Sequence, residues 1–305
     1  MIPILLLYLF ACISLICLLL LFPGVAHEGT DLGVSLFMDA LFPYLLAYLI
    51  LTQWFIRLTP TKVDSLSKFK LYAKTYGISA LGGFPTGAAT ITYLKKSKQI
   101  SSHEANTLLG ICHSPSPLFV IGFVGHDLLN DSQFSWQFLS IYHAVSIILL
   151  IFCYYYYRKD SQNSINLTIQ EQPKKHENPF TSSVKDSIPT VLIVGTTIIF
   201  FTTIYTVLLH SVKIIFPDIH NNLTLLIAAM LEMTNGLKIA TQLFPSETTL
   251  LLLLLVTFLT TQSLSIHMQV AVIAKSERLS LRPYILMRIL YTILIPVLFY
   301  LFFLI

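Results

Sequence analysis

The chain has 305 residues, 55% of them hydrophobic and 11% charged, with a mean hydropathy of +0.73. A soluble domain carries about 25% charged residues, so an ordinary water-soluble fold is excluded. The net charge of +4 is no nucleic-acid signal, because Lys and Arg sit between apolar segments without a basic-aromatic patch, zinc finger or helix-turn-helix. Roughly 20 apolar residues span a bilayer, and about eight segments come near that length. The four cysteines, Cys12, Cys17, Cys112 and Cys153, lie inside apolar stretches without metal-site spacing, so no metal site is expected.

Ile2 to Phe22 reads as a membrane helix. Gly24-Val25-Ala26 would pass as a cleavage site, but the positively charged stretch of a signal peptide is missing, so the helix is expected to stay. An outer loop to residue 36 follows, then an apolar run from Phe37 to Ile56 and a cationic stretch of Arg57, Lys62, Lys68, Lys70 and Lys74. Thr75 to Leu94 is apolar, yet Gly82-Gly83-Phe84-Pro85-Thr86-Gly87 is too rich in Gly and Pro for a regular helix interior. Lys95, Lys96 and Lys98 close it. Cationic residues prefer the cytoplasmic side. Both clusters want that side, so the segment between them is predicted to dip in and return as a re-entrant hairpin. Non-helical backbone at membrane depth is tolerated only where protein buries it or water lines it, which implies a cavity. Thr107 to Gly125 then crosses outward around Cys112-His113-Ser114-Pro115-Ser116-Pro117, and Trp136 to Tyr157 returns. Residues 158–187 carry Arg158, Lys159, Lys174, Lys175 and Lys185 and read as a flexible cytoplasmic linker.

The second half repeats the plan. Ile188 to Val212 crosses outward, Leu223 to Leu243 is interrupted by Glu232-Met233-Thr234-Asn235-Gly236, and Glu247 to Ala274 carries Gln262-Ser263-Leu264-Ser265-Ile266-His267. Pro283 to Leu304 leaves the cytoplasm again. Every Lys and Arg except Lys213, Lys238 and Arg288 falls on the inner side so assigned. Phe37 pairs with Ile188, Gly82 with Leu231, Cys112 with Gln262 and Trp136 with Pro283, at a near-constant offset. The expected fold is therefore all-α: a multi-pass protein of the cell (plasma) membrane with two inverted-topology repeats, each containing a re-entrant, broken-helix hairpin. Its parts are an N-terminal helix and outer loop (1–36), a first repeat (37–157), the linker (158–187) and a second repeat (188–305).

Gly82-Gly83-Phe84-Pro85-Thr86-Gly87-Ala88, Glu104-Ala105 and Ser114-Pro115-Ser116-Pro117-Leu118-Phe119-Val120-Ile121-Gly122 resemble the first half of the YlbJ-like sporulation integral membrane proteins. These belong to the nucleoside-recognition (Gate) domain group. Leu231-Glu232-Met233-Thr234-Asn235-Gly236 and Leu264-Ser265-Ile266-His267-Met268-Gln269-Val270 resemble that family's second half. The resemblance covers roughly Leu32 to Leu304. It departs where His113-Ser114-Pro115 replaces the Asn-Asn that members often show. It implies two Gate units, an architecture similar to concentrative nucleoside transporters, and a place in endospore formation, where dipicolinic acid transport has been proposed for members.

Candidate solute-binding residues follow from the interruptions. Glu232 is an acid in an apolar segment, expensive unless it faces a cavity or a partner; its bland alternative is an ion pair with Lys238. Thr234 and Asn235 offer side-chain dipoles or helix caps at the same break. His113, Ser114 and Ser116 sit among prolines that free backbone carbonyls. Gln262, Ser263, Ser265 and His267 are their mirrored counterparts. Gly83, Pro85, Thr86 and Gly87 would shape a hairpin tip whose N–H groups approach an anion. Asp39, His143 and Arg288 lie near expected membrane boundaries and read as interfacial or structural. No Walker A loop, dinucleotide fingerprint, HExxH or EF-hand loop appears. Ser265 and His267 cannot face each other on one helix, although Ser116 and His267 could meet across two. The chain thus reads as no enzyme, without a cofactor, and as a secondary transporter of a small polar or anionic solute, nucleoside-like or a dipicolinic acid-like dicarboxylate, by alternating access coupled to Na⁺ or H⁺. The other reading is a non-transporting assembly or scaffold protein of spore formation. Expected partners are the solute, the lipid bilayer and a second copy in a homo-oligomer, with no nucleic acid.

Overall fold

The computed structural model describes residues 2–58, 65–158, 178–245 and 248–305. Every regular element among the described residues is helical. In chain order these are α1 (Ile2–Leu21), α2 (Pro23–Ala40), α3 (Phe42–Leu58), α4 (Ser65–Gly82), α5 (Phe84–Lys96), α6 (Ser102–Ile111) and a π-helical segment, Phe119–Leu129. There follow α7 (Ser132–Tyr157), α8 (Pro179–Ile215), α9 (Asn221–Leu231), α10 (Met233–Leu243), α11 (Thr249–Thr261), α12 (Leu264–Lys275) and α13 (Arg282–Phe299), which ends in a second π-helical turn, Tyr300–Leu304. Several starts are written locally. Ser101 and Glu104 form a reciprocal capping box at α6, and the Asp131 carboxylate caps α7 by accepting from Gln133 N at 2.7 Å.

Among the described residues four helical stretches are long and apolar enough to cross a bilayer: Ser132–Tyr157, Pro179–Ile215, Thr249–Lys275 and Arg282–Leu304. A fifth is reached if Leu5–Leu21 and Pro23–Asp39, bent by 101°, count as one span. The apolar segments of the sequence thus yield fewer full spans than expected, because α4/α5, α6 with the π segment, and α9/α10 are interrupted. Large apolar side chains face outward along the spans, with Trp136 62% exposed. In water such a surface would aggregate; in a bilayer it meets hydrocarbon.

Two expected boundaries are corrected. The outer loop predicted before residue 37 is the helix α2, so the 36/37 boundary falls inside a helix. The helix carries polar His27, Glu28 and Asp31. Yet Gly29 and Gly33, four residues apart, let α2 lie against α8 so closely that added Cβ atoms would come within 2.9 Å of Thr203 Cα and 2.8 Å of Ile199 Cα. The linker expected to end at residue 187 ends earlier, because Asn178 caps and Pro179 opens α8, the start signal of a helix. Linker residues 159–177, Lys62 and Glu247 lie outside the described residues.

Three apolar clusters fill the interior. The first joins the π segment, α7, α10, α11 and α13; the second joins α4, α5, α6 and α12; the third joins α2, α3 and α8. Buried Ser and Thr hydroxyls mostly satisfy themselves on the carbonyl four residues back, as Thr75, Ser79 and Ser146 do.

At the Lys-rich end, outside the spans, Glu104 ties α6 to α4. It pairs with Lys68, accepts from Tyr72 OH at 2.5 Å, and accepts from Ser101 N at 2.8 Å. Burial raises the carboxyl's pKa, but the bonds from Lys68, Tyr72 and Ser101 more than offset this and leave it below its ordinary value. A depressed folded-state pKa stabilises above the ordinary carboxylate range, and that contribution is lost as pH falls through the lowered value. Glu104→Gln should lower stability by about 3 kcal/mol, the scale of a broken buried pair, and flatten the acid limb of a pH–stability curve. A variant with an unaltered acid limb would refute this role.

Candidate functional site

Two hairpins bend at single residues. Between α4 and α5 the turn is Gly83, at φ +84° and ψ −171°, a region essentially restricted to glycine. Between α9 and α10 it is Glu232, in extended conformation. The helix that follows each hairpin is broken as well: α6 stops at Ile111 ahead of the Cys112–Leu118 stretch, and α11 stops at Thr261 ahead of Gln262 and Ser263. Gln262 adopts φ +67° and ψ 179°, nearly the geometry of Gly83. For a residue with a Cβ such strain costs about 1–3 kcal/mol, so its surroundings hold it there.

The first hairpin tip docks on the first break. A Cβ added to Gly83 would lie 2.9 Å from Ser116 Cβ, and one added to Gly87 would lie 1.8 Å from the Cys112 carbonyl oxygen. Pro85 occupies the first turn of α5, where a missing N–H costs nothing. Thr86 is turned inward and donates to Gly82 O at 3.0 Å. Ser116 Oγ accepts from Phe119 N at 3.2 Å and caps the π segment, while Ser114 Oγ makes only a long 3.5 Å contact with Ser79 O.

At the second hairpin Glu232 caps α10. Its carboxylate accepts from Asn235 N at 3.0 Å and from Thr234 Oγ1 at 3.2 Å. Asn235 Nδ2 reaches across to Thr202 Oγ1 on α8 at 3.3 Å. The ion pair with Lys238 does not form: among the described residues no basic nitrogen lies within 4.0 Å of this carboxylate. Glu232 is 2% exposed.

Both breaks open onto one cavity of about 70 Å³. Gly83, Pro85, Ser116, Glu232 and Thr234 line it, together with Tyr48 of α3 and Gln269 of α12. Thr86, Gly87, His113, Ser114, Asn235, Gln262, Ser263, Ser265 and His267 do not. These expected site residues instead support the walls, because helix breaks turn side chains into the neighbouring packing as readily as into a void.

Three of them, His113, Gln262 and His267, belong to a separate buried network with Tyr284. His113 Nε2 lies 2.9 Å from Gln262 Oε1, to which Tyr284 OH donates at 3.2 Å, and Tyr284 OH lies 2.8 Å from His267 Nδ1. Ser265 Oγ sits beside it, accepting weakly from Gln269 Nε2 at 3.5 Å. Gln262 Nε2 and Ser263 Oγ are buried without a partner among the described residues. Phe84, a cavity wall residue, packs its ring 5.3 Å from that of His113 and separates network from cavity. His267 is thus engaged by Tyr284, and Ser116 by Phe119 N.

Of the two readings of Arg288, interfacial or structural, the packing fits the second: it is 4% exposed. It donates to Tyr142 OH at 2.9 Å and to Gly110 O at 2.7 Å, and its guanidinium sits 4.4 Å from the centre of the Tyr291 ring. Tyr142 in turn donates to His113 O at 2.6 Å. A lone Arg in an apolar run was the signal for that reading. Gln269 could have been found one helical turn beyond Ser265. Asp39 is exposed, as expected, and His143 accepts or donates at 2.6 Å to Tyr76 OH.

Among curated proteins the chain is similar to the sporulation integral membrane protein YlbJ of Bacillus subtilis (strain 168), with 24% identity over 176 residues. That stretch covers 54% of this chain and 41% of the relative, less than half its length. No family model matches the chain, and no solved structure does.

Proposed function

We propose that this chain, an integral membrane protein similar to YlbJ over about half its length, is a secondary transporter moving a small polar or anionic solute by alternating access. The observation that carries the proposal is a cavity lined by both interrupted hairpins. Two inverted repeats would place it at their interface. In support, α3, the α4/α5 hairpin, the broken α6 and α7 find counterparts in α8, the α9/α10 hairpin, the broken α11–α12 and α13. The halves also exchange contacts, α5 with α12 and α10 with the π segment. Nucleosides and pyridine dicarboxylates are the solute classes to test. The protein would act in the plasma membrane during spore formation, with the linker in the cytoplasm, no catalytic step, and Na⁺ or H⁺ as the coupling ion.

A cavity of about 70 Å³ falls well short of the roughly 300–1,000 Å³ of small-molecule sites. The solute would therefore enter another access state, in which the hairpins move apart.

The test is flux into proteoliposomes, with Na⁺ and pH gradients varied. Glu232→Gln is expected to cut transport by roughly 10- to 100-fold, the worth of a charge-assisted hydrogen bond; Asn235→Ala is expected to cut it by less. No flux for any solute, with both variants sustaining the cell's phenotype, would replace transport by a scaffold role.

A further inference from the structure

We propose that the cavity between the hairpins holds a monovalent cation against Glu232, as a free alkali ion or as the ammonium group of a small solute. The inference deepens the transport reading by naming the charge of the cavity's occupant, but binding can be measured without flux.

The electrostatics of the wall are one-sided. Glu232 is buried, accepts hydrogen bonds from Asn235 N and Thr234 Oγ1, and has no basic nitrogen within 4.0 Å among the described residues. Lys238 of α10 acts on this carboxylate only from beyond ion-pair distance, and a buried carboxylate without a counter-charge in contact is expensive. Gln269, 3% exposed, lines the same cavity, and among the described residues its amide oxygen accepts no hydrogen bond, the nitrogen alone being used towards Ser265. Thr234 and Ser116 add hydroxyl oxygens. No Lys, Arg or His lines the cavity. Arg288 is held by Tyr142, Gly110 and Tyr291 and takes no part in the wall.

The backbone points the same way. Both hairpins bring the C-terminal end of their first limb, α4 and α9, to the cavity, and helix C-termini carry partial negative charge. Of the two opposing N-termini, α10 is occupied by the Glu232 carboxylate itself, and the first turn of α5 has one N–H fewer because Pro85 stands in it. Hard monovalent and divalent cations select oxygen ligands of this kind. The volume suffices for a cation and a few waters.

Thermal unfolding of the purified full chain in detergent tests this at constant chloride, with NaCl or methylammonium chloride replacing choline chloride. Binding to the native state raises the midpoint with cation concentration. The expected result is a saturable rise with Na⁺, methylammonium or both. It should be absent in Glu232→Gln and should need about tenfold more cation in Gln269→Ala, the loss of one ligand to a charge. A response to Na⁺ alone identifies a metal ion, and one to methylammonium alone identifies a solute ammonium; either supports the site. Equal midpoints in all three salts overturn it, as does an undiminished response in Glu232→Gln. Where Glu232→Gln fails to fold, Gln269→Ala decides, since it lies away from the helix cap; an unchanged concentration dependence then overturns the proposal. Flux without cation stabilisation would leave transport standing and sink this site. Stabilisation without flux would do the reverse.

Discussion

Gly87→Ala is expected to destabilise the protein by about 3 kcal/mol or more, at the top of the range for overpacking, and to abolish any flux. The added methyl would sit 1.8 Å from the Cys112 carbonyl oxygen and 3.3 Å from Ser79 Oγ. Backbone cannot rotate aside as a side chain can, so the hairpin tip and the broken α6 must separate by more than an ångström. Close-packed interiors resist such a shift. That separation would also pull Gly83 from Ser116 and open the cavity wall. Gly236 faces the same constraint, because its added Cβ would lie 2.4 Å from Ala229 Cα where α9 and α10 pack. Gly77 is the internal contrast: it lies within α4 and nothing stands within 4 Å of its added Cβ. Gly77→Ala should therefore stabilise by roughly 0.5–1 kcal/mol, the helix penalty of glycine. Unfolding of the three variants in mixed detergent micelles separates them. A Gly87→Ala protein as stable as the Gly77→Ala one would show that the tip does not rest on the Cys112 carbonyl.

Removing Arg288 should be nearly as damaging. Its guanidinium caps the last turn of α6 through Gly110 O, holds Tyr142 OH, and covers the Tyr291 ring. The end of α6 is where the chain breaks towards His113, so those carbonyls have few other partners. Arg288→Ala combines a cavity with an orphaned carbonyl and should cost about 3–5 kcal/mol. Arg288→Lys keeps the charge, but a point charge cannot serve Tyr142 and Gly110 in fork geometry, so roughly half the loss should remain. The same unfolding measurement applies. Equal stability of wild type and Arg288→Ala would mean that the cluster is incidental. Because Tyr142 passes the contact on to His113 O, the variant also reports on how firmly the first break is held.

The two hairpin turns and the first broken helix were visible in the chain before any tertiary contact, whereas 247–274 reads as one helix with a polar centre and its break at Gln262 carries no Gly or Pro. Gly83, Pro85 and Gly87, the pair Pro115 and Pro117, and Glu232 in an apolar run each violate what a regular membrane helix allows, and the backbone breaks at or beside each. Misread elements had tertiary causes. The segment before residue 37 reads as a loop, yet a glycine pair four residues apart becomes an interface only when α8 lies opposite. Arg288 reads from its position as interfacial or structural, and only the packing of Tyr142, Tyr284, Tyr291 and the Gly110 carbonyl around it decides for the second.

Composition and the placement of breakers thus determined a multi-pass helical protein with interrupted segments, because bilayer thickness and backbone hydrogen bonding act on each segment by itself. The division of the polar break residues was decided in three dimensions. Glu232, Thr234 and Ser116 face a cavity, while His113, Gln262 and His267 close on Tyr284 behind Phe84. Both sets have the same local chemistry. Which way each turns depends on the helix packed against it, and that partner lies far away in sequence.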